Sequence, residues 1–420
     1  TQLDYVQAYP QAPVERELYM QIPVGINLKE GNRKTHVLQL HKNVYGQKQA
    51  GKVWYDYLVN KLVNEVKFTQ SKIDPCLFYR GKTLYTLYTD DSIIAGPDKQ
   101  EIAQIIQDIK LAGLNMTEEG DVADFLGVNI AKKHDGTIHL TQPHLIDQIL
   151  TDLKMTSPLL EPKDTPAMTS RTLHRHDSSP PHDGSFHYRS VLGRLGYLET
   201  GSRIDIAYIC HQLARFSINP KREHSSAMRW VARYLKGTRD KGLVLSPQHE
   251  KGLEVHVDAD FSGNWSQEDS FDPDTARSRH GFIISYAGCP VIWKSRLQTE
   301  ITLSTTEAEY TGLSYALREA IPLIRLLKEM QSKRVNITNK KCKIKCRVYE
   351  DNAGAIELAK NSKYRPRTKH LNIKLHHFRS HVGKDIEIVK VDGKEQIADI
   401  LTKPVPNPLF AKLRELLMHW

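Results

Sequence analysis

The sequence predicts a multidomain α/β protein, and three observations carry that prediction. At 420 residues the chain exceeds what one hydrophobic core ordinarily organises. Short apolar, strand-like runs alternate with helical patterns along most of its length. Between Ser157 and His187 the alternation stops in a stretch holding Pro158, Pro162, Pro166, Pro180 and Pro181; it reads as a surface connector, because closely spaced prolines sustain neither a helix nor a central strand. The composition, 40% hydrophobic and 26% charged, is that of a globular protein rather than a disordered or fibrous one. No run approaches the ~18 apolar residues of a membrane span. No signal-peptide pattern is present, and the start at Thr1, inside a stretch patterned for structure, reads as a cut from something longer. Cys76, Cys210, Cys289, Cys342 and Cys346 include no C-x-x-C pair, which argues against a disulfide framework or a zinc ribbon. Fifty-nine basic against forty-nine acidic residues leave a net charge of +10, pointing to a polyanionic partner.

Before the connector, residues 37–40 and 84–88 are predicted strands and residues 53–66 an amphipathic helix. Residues 125–130 and 137–140 flank His134-Asp135-Gly136, a hairpin turn. After the connector, residues 188–235 are predicted helical, divided at Asn219-Pro220. From Gly252 the texture changes. Strands are predicted at 253–257, 281–286 and 291–293, followed by a long helix from Thr305 to about Met330. A strand at 347–349, helices at 353–360 and 371–382, a strand at 386–391 and a short helix at 397–402 complete one mixed α/β domain. Residues 408–420 are predicted to pack as an amphipathic helix. The expected divisions are thus 1–132, 133–250 with the connector 157–187 inside it, 251–403, and a tail helix at 404–420.

Residues 84–96 set Asp90 and Asp91 side by side between strand-forming flanks, the pattern of a β-hairpin with acids at its tip. Asp is a common turn former, so that pair alone needs no function. Asp4 adds a second acid after an apolar residue, with Tyr9 five positions on. In this company the chain resembles the reverse transcriptases of copia-type retrotransposons. Gln2-Leu3-Asp4, Glu17-Leu18-Tyr19-Met20, Leu40-His41-Lys42-Asn43-Val44-Tyr45-Gly46 with Lys48-Gln49-Ala50, Asp74-Pro75-Cys76-Leu77 and Tyr88-Thr89-Asp90-Asp91 occur in that family's order. Phe125-Leu126-Gly127, Tyr188-Arg189-Ser190, Asp205-Ile206-Ala207-Tyr208 and Arg233-Tyr234-Leu235-Lys236-Gly237-Thr238 continue the match, which runs along essentially the whole chain.

The resemblance implies a right-hand polymerase palm of ferredoxin-like α+β type with truncated fingers, a helical thumb and connection, and a ribonuclease H-like domain. It implies that Asp4, Asp90 and Asp91 hold two magnesium ions, with manganese as a substitute. Nucleotidyl transfer needs the attacking hydroxyl and the leaving pyrophosphate stabilised together, which a metal pair ~3.5–4 Å apart does; magnesium takes hard carboxylate oxygens. Along a regular strand Asp90 and Asp91 would point to opposite faces, which favours Asp90 as the stronger ligand. By the same resemblance Tyr9 lies beneath the nucleotide sugar, Gln49 and Tyr88 line the substrate pocket, and residues 125–141 grip the primer end. Gly46-Gln47-Lys48-Gln49-Ala50-Gly51-Lys52 fits most of a phosphate-binding loop, but Val53 lacks the hydroxyl that would reach magnesium.

A second acidic set lies beyond Gly252. Asp258 and Asp260 end a strand, Glu307 and Glu309 open the long helix, Glu350 and Asp351 end another strand, and Asp399 starts the last short helix. Singly each has a turn-forming or helix-capping explanation; in this order they resemble ribonuclease H. The implied metal-binding set is Asp258, Glu309, Asp351 and Asp399, again around two magnesium ions. Ser304-x-x-Glu307 is a capping pattern, and the apolar stripe of the helix lies nearer in rotation to Glu309. Thr306-x-x-Glu309 fits a cap as well, so the choice of Glu309 stays open. His370, within Arg367-Thr368-Lys369-His370, is the candidate for proton transfer or product release. His370, His376, His377 and His381 lack the cysteine pair that would make a zinc site. Lys340, Lys341, Lys343, Lys345 and Arg347 alternate with apolar residues, giving a strand with a basic face that could meet solvent or a phosphate backbone.

The expected partners are an RNA template, a DNA primer, RNA–DNA hybrid and deoxynucleoside triphosphates, with the integrase, protease and capsid segments of the same polyprotein and no membrane. The resemblance places the protein inside the cell, in a cytoplasmic virus-like particle or in the nucleus. The alternative is a catalytically inactive or domesticated nucleic-acid-binding relic, because Asp4 lies close to the start whereas the family carries basic fingers strands before it.

Overall fold

The computed structural model describes residues 1–26, 33–170, 172–175, 178–267, 270–335, 337, 344–360 and 377–420. It forms two compact units, Thr1–Val122 with Leu326–Ile337, and Ala123–Arg325 with Thr338–Trp420. Among the described residues no helix is long and apolar enough to cross a membrane.

In the first unit, β1 (Gln2–Tyr5), β4 (Thr69–Gln70), β5 (Leu77–Arg80), β6 (Thr83–Tyr88), β7 (Asp91–Ala95) and β8 (Met116–Gly120) form an antiparallel sheet ordered β4-β5-β6-β7-β1-β8. The strands β2 (Pro13–Gln21) and β3 (Val37–Lys42) make a separate ribbon. Strand β6 shows why this sequence makes sheet: Thr83, Tyr85 and Leu87 are buried while Leu84, Thr86 and Tyr88 are not, a strict period of two. Leu3, Tyr5, Tyr85 and Ile94 pack there with Trp54 and Leu58 of the helix Ala50–Asn60 and Ile105 and Ile109 of the helix Lys99–Leu111. The predicted helix at 53–66 thus starts three residues early and ends in a single π turn, Lys61–Glu65. Asp98 caps the Lys99–Leu111 helix, accepting from Gln100 N at 2.8 Å.

The second unit holds two sheets. The predicted hairpin forms from β10 (Val128–Lys132) and β11 (Ile138–Thr141), flanked by β9 (Asp124–Phe125) and β12 (Leu243–Leu245). The strands β13 (Leu253–Asp260), β14 (Arg279–Tyr286), β15 (Cys289–Leu297), β16 (Cys346–Glu350) and β17 (Ile386–Lys390) are ordered β15-β14-β13-β16-β17. Pairs among β13, β14 and β15 are antiparallel, and β16 and β17 are added in parallel, as the predicted strand and helix order requires. The helix Thr305–Ser332 runs through Pro322 without a break. The helices Pro143–Asp152, Tyr188–Gly201, Ala207–Ala214, Arg222–Gly237 and Leu409–Met418 share one apolar core with Ile283, Ile400 and Leu401. That core runs continuously across residue 250, and the compact units divide after Val122.

The basic face of Arg222–Gly237 is spent on the connector. Arg233 Nε donates to Glu161 O at 2.7 Å, Lys236 Nζ to Leu160 O at 2.9 Å, and Trp230 Nε1 to Thr165 O at 2.8 Å. Of the predicted helix at 371–382, residues 371–376 lie outside the described residues, and Arg379–His381 forms a short 3-10 turn rather than α-helix. His370, His376, Lys340, Lys341 and Lys343 also lie outside the described residues.

Candidate active sites

The first acidic set is held by aromatic packing. Strands β6 and β7 pair up to Tyr88 opposite Asp91, leaving Thr89 and Asp90 as the turn, with Thr89 in the left-handed region at φ 57°. Trp54 Nε1 donates to Thr89 O at 2.8 Å, and beneath it the buried hydroxyls of Tyr5 and Tyr85 bond at 2.8 Å. On β1, Asp4 is the direct cross-strand partner of Asp91, and such partners share a face. Tyr5 N donates to Asp90 O at 3.0 Å, which draws the turn beside them. Burial first, then the charges of Asp90, Asp4 and Glu119, hold the Asp91 carboxyl above its ordinary range. Asp4 and Asp91 are thus cross-strand partners with Asp90 in the adjoining turn. The three do not bring their oxygens within 4.8 Å of one another as a group.

The strand alternation invoked to rank Asp90 above Asp91 does not extend to them here. Residues 89 and 90 form a turn, so face alternation does not extend across them, and Asp91 is the acid opposite Asp4. Tyr9, on the short helix Ala8–Gln11, stacks on Tyr45 with centroids 4.7 Å apart. Tyr45, 56% exposed, adjoins the acids: local burial and then the Asp90 charge raise its hydroxyl pKa, with smaller contributions from Tyr9 and Asp4. Gln49 occupies the N-cap of Ala50–Asn60, and among the described residues no bond or ring contact ties it to the acids. Tyr88 is exposed at the end of β6. Tyr45 is the residue of this segment that sequence reasoning missed.

The second set is built from four elements. Asp258 lies on β13 opposite Gly281, where a Cβ would sit 2.6 Å from Leu401 Cβ. The missing side chain lets the helix Asp399–Thr402 press against the sheet, and Thr402 Oγ1 donates to Asp258 Oδ2. At the start of Thr305–Ser332, Glu307 N donates to Ser304 Oγ at 3.2 Å and Leu303 N donates to Glu307 Oε2 at 2.8 Å, so Glu307 serves the helix end. Glu309, two residues on, is buried with its Oε2 unpartnered. Asp351 follows the last residue of β16, and Asn352 then caps the helix Ala353–Lys360 by accepting from Ala355 N at 3.0 Å. Thr306 Oγ1 also donates to Asn352 Oδ1 at 3.3 Å, tying the two helix starts together.

Asp258, Glu309 and Asp351 each place one carboxylate oxygen within 4.8 Å of the others, the one such group among the described residues. Burial, then Glu350, Asp258 and Asp351, drives the Glu309 carboxyl far up, and burial and then Asp258 raise Asp351. Asp399 rises to about 7 through burial and Asp258, although Lys403 Nζ stands 3.0 Å from its Oδ1. Asp399 thus flanks the other three through Asp258 while pairing with a cation of its own. Mutually repelling carboxylates with a buried, unpartnered oxygen are a donor set that a hard divalent cation satisfies, so the residues fit such an ion. Sequence reasoning also missed Thr402 and Lys403, which bond Asp258 and Asp399.

Residues 1–169 match the family described as reverse transcriptase (RNA-dependent DNA polymerase). The chain is 31% identical, over its whole length, to the retrovirus-related Pol polyprotein from transposon TNT 1-94 of Nicotiana tabacum, and covers 31% of that protein. It is 31% identical over 97% of its length to the corresponding polyprotein from transposon RE1 of Arabidopsis thaliana, covering 26%. The chain therefore spans between a quarter and a third of the length of these relatives. Among solved structures, the foamy viral protease-reverse transcriptase in complex with RNA/DNA hybrid matches with a TM-score of 0.53 at 15% identity, over 97% of this chain and 45% of that one. That similarity is one of fold.

Proposed function

We propose two activities at two acidic sites for this chain, whose residues 1–169 match the reverse transcriptase family and which is similar along its length to retrovirus-related Pol polyproteins of transposons. Asp4, Asp90 and Asp91 extend a DNA primer on an RNA or DNA template from deoxynucleoside triphosphates. Asp258, Glu309, Asp351 and Asp399 cleave the RNA strand of an RNA–DNA hybrid. Each set would hold a pair of magnesium ions, with manganese as substitute; such a pair stabilises the attacking and leaving oxygens of an in-line displacement. In the first site the Tyr9–Tyr45 stack supports the nucleotide beside the acids. In the second, Thr402 orients Asp258 and Lys403 orients Asp399. The integrase, protease and capsid segments of the same polyprotein are the proposed partners, and a cytoplasmic particle or the nucleus the proposed location.

One observation carries this reading: the mutual 4.8 Å approach of Asp258, Glu309 and Asp351 around an unpartnered buried oxygen. The test is primer extension and hybrid cleavage on one preparation, with Asp91→Asn and Asp351→Asn compared with the unmodified chain. Each variant should lose one activity and keep the other. A folded chain that binds hybrid yet shows neither activity would instead be a nucleic-acid-binding relic.

A further inference from the structure

Strands β13 and β16 run parallel, and their pairing ends with His256 opposite Tyr349. Asp258 and Asp351 each lie two residues past that last pair, so the ladder itself does not fix the distance between them. What joins the strands beyond it is a side chain. Gln396 Nε2 donates to Val257 O at 2.8 Å and to Tyr349 O at 3.4 Å, one carbonyl from each strand. An amide nitrogen carries two N–H groups, and both are used here. Gln396 is 0% exposed, so water does not compete for either bond.

The same residue holds a third element. Its backbone carbonyl accepts from Asp399 N at 3.2 Å and its Oε1 from Ala398 N at 3.4 Å, which sets the start of the helix Asp399–Thr402. The 3-10 turn just before it, Gly393–Glu395, lies against the end of β16. Val391 N donates to Glu350 O at 3.1 Å, and a Cβ at Gly393 would stand 3.3 Å from Asp351 Oδ2. Asp258, Asp351 and Asp399 thus stand on elements that meet at one buried glutamine. Packing alone would be served by an apolar residue of similar volume. Such a residue leaves two buried carbonyls without their donor, a cost that is relieved when the strand ends move. Movement there shifts Asp258 relative to Asp351.

We propose that Gln396 is a positioning residue of the second acidic site, setting the spacing of Asp258, Asp351 and Asp399 through the backbone beside them. The inference rests on the reading of that set as a metal site. Gln396→Met keeps the side-chain length and removes both donors; Gln396→Asn keeps the amide and withdraws it by one methylene. The probe is Mn2+ alone, titrated calorimetrically into the full chain well below its melting transition, and the binding lost in Asp351→Asn defines the second set. Residues that bond metal ligands directly change affinity about ten- to hundredfold, and Gln396 acts one bond further out. Gln396→Met should therefore weaken Mn2+ binding about fivefold or more, and excess Mn2+ should restore part of the hybrid cleavage it loses. A cooperatively melting Gln396→Met with a smaller loss of Mn2+ affinity would assign the residue to packing and overturn the proposal. If Gln396→Met does not melt cooperatively, Gln396→Asn decides alone: reduced Mn2+ affinity supports the proposal and unchanged affinity overturns it. If Asp351→Asn removes no binding, the metal reading itself fails and this inference falls with it, a result distinguishable from a defect confined to position 396.

Discussion

The two acidic sites are assembled from the same residue type in different ways. Asp4, Asp90 and Asp91 sit half-buried where two strands and a turn meet; strand pairing sets Asp4 opposite Asp91, and burial and neighbouring charge raise the Asp91 carboxyl. Asp258, Glu309, Asp351 and Asp399 come from two strand ends and two helices and lie in or next to a core, where every neighbouring charge is felt more strongly. The strand-tip acids are half-exposed and do not draw their oxygens together as Asp258, Glu309 and Asp351 do. The buried site is already drawn together, and the repulsion among its acids is of the kind that a divalent cation would relieve. Preorganisation is thus greater in the second, so hybrid cleavage should withstand dilution of Mg2+ better than primer extension.

The largest expected effect separates the two sites outright. Asp351→Asn should lower hybrid cleavage about a thousandfold while primer extension persists, and Asp91→Asn should do the reverse, because each removes one carboxylate of a proposed metal-binding set. Loss of both activities in either folded variant would mean that the sites are not independent. Next, Gly281→Ala puts a methyl group where Leu401 Cβ stands 2.6 Å away and must displace the Asp399–Thr402 helix. Misplacing Asp399 by ~1 Å should cost cleavage about a hundredfold without affecting extension. Unchanged cleavage would show that the close approach of helix to sheet is not needed.

A smaller effect falls on the first site. Tyr45→Ala removes the ring stacked on Tyr9 and should raise the KM for deoxynucleotides about three- to tenfold, from the ~0.5–1.5 kcal/mol of an aromatic pair. An equal defect in Gln49→Ala would restore Gln49 as the contact. The smallest effect is read by heat. Burial raises Asp399 to about 7, so the folded chain keeps a proton that the unfolded chain has released above pH ~4. For this group the folded state therefore loses stability as pH climbs from about 4 through 7. Cations need the ionised form, so their stabilisation grows across the same window. Saturating Mg2+ should raise the melting temperature by about 3–6 °C at pH 8 and by little at pH 5. A shift of equal size at both values would indicate binding elsewhere.

Local pattern made much of this legible. The alternation of β6, the hairpin about Gly136, the proline-dense connector and the uninterrupted apolar stripe of Thr305–Ser332 all register in the sequence as in the fold. The acids at strand and helix ends are visible there too, though the family resemblance and not local pattern grouped them, and Asp258, Glu309 and Asp351 are the ones whose oxygens the fold brings together. The helix Lys99–Leu111 carries a local signal in its Asp98 cap, yet its mixed composition hid the apolar stripe of Ile105, Ile106 and Ile109. Glu307 and Glu309 could not be separated by rotation alone; the bond from Leu303 N to Glu307 separated them.

By itself, then, the amino-acid order determined which elements form and which acids stand at their ends, since strand period, helix stripe and turn chemistry act over a few residues. Tertiary structure alone decided which acids meet: that Asp91 faces Asp4 across paired strands, and that Asp258, Glu309 and Asp351 bring carboxylate oxygens within 4.8 Å of one another. Those outcomes follow from strand register, from one absent side chain at Gly281 and from burial, which join residues far apart in the chain and convert ordinary carboxylates into strongly coupled ones.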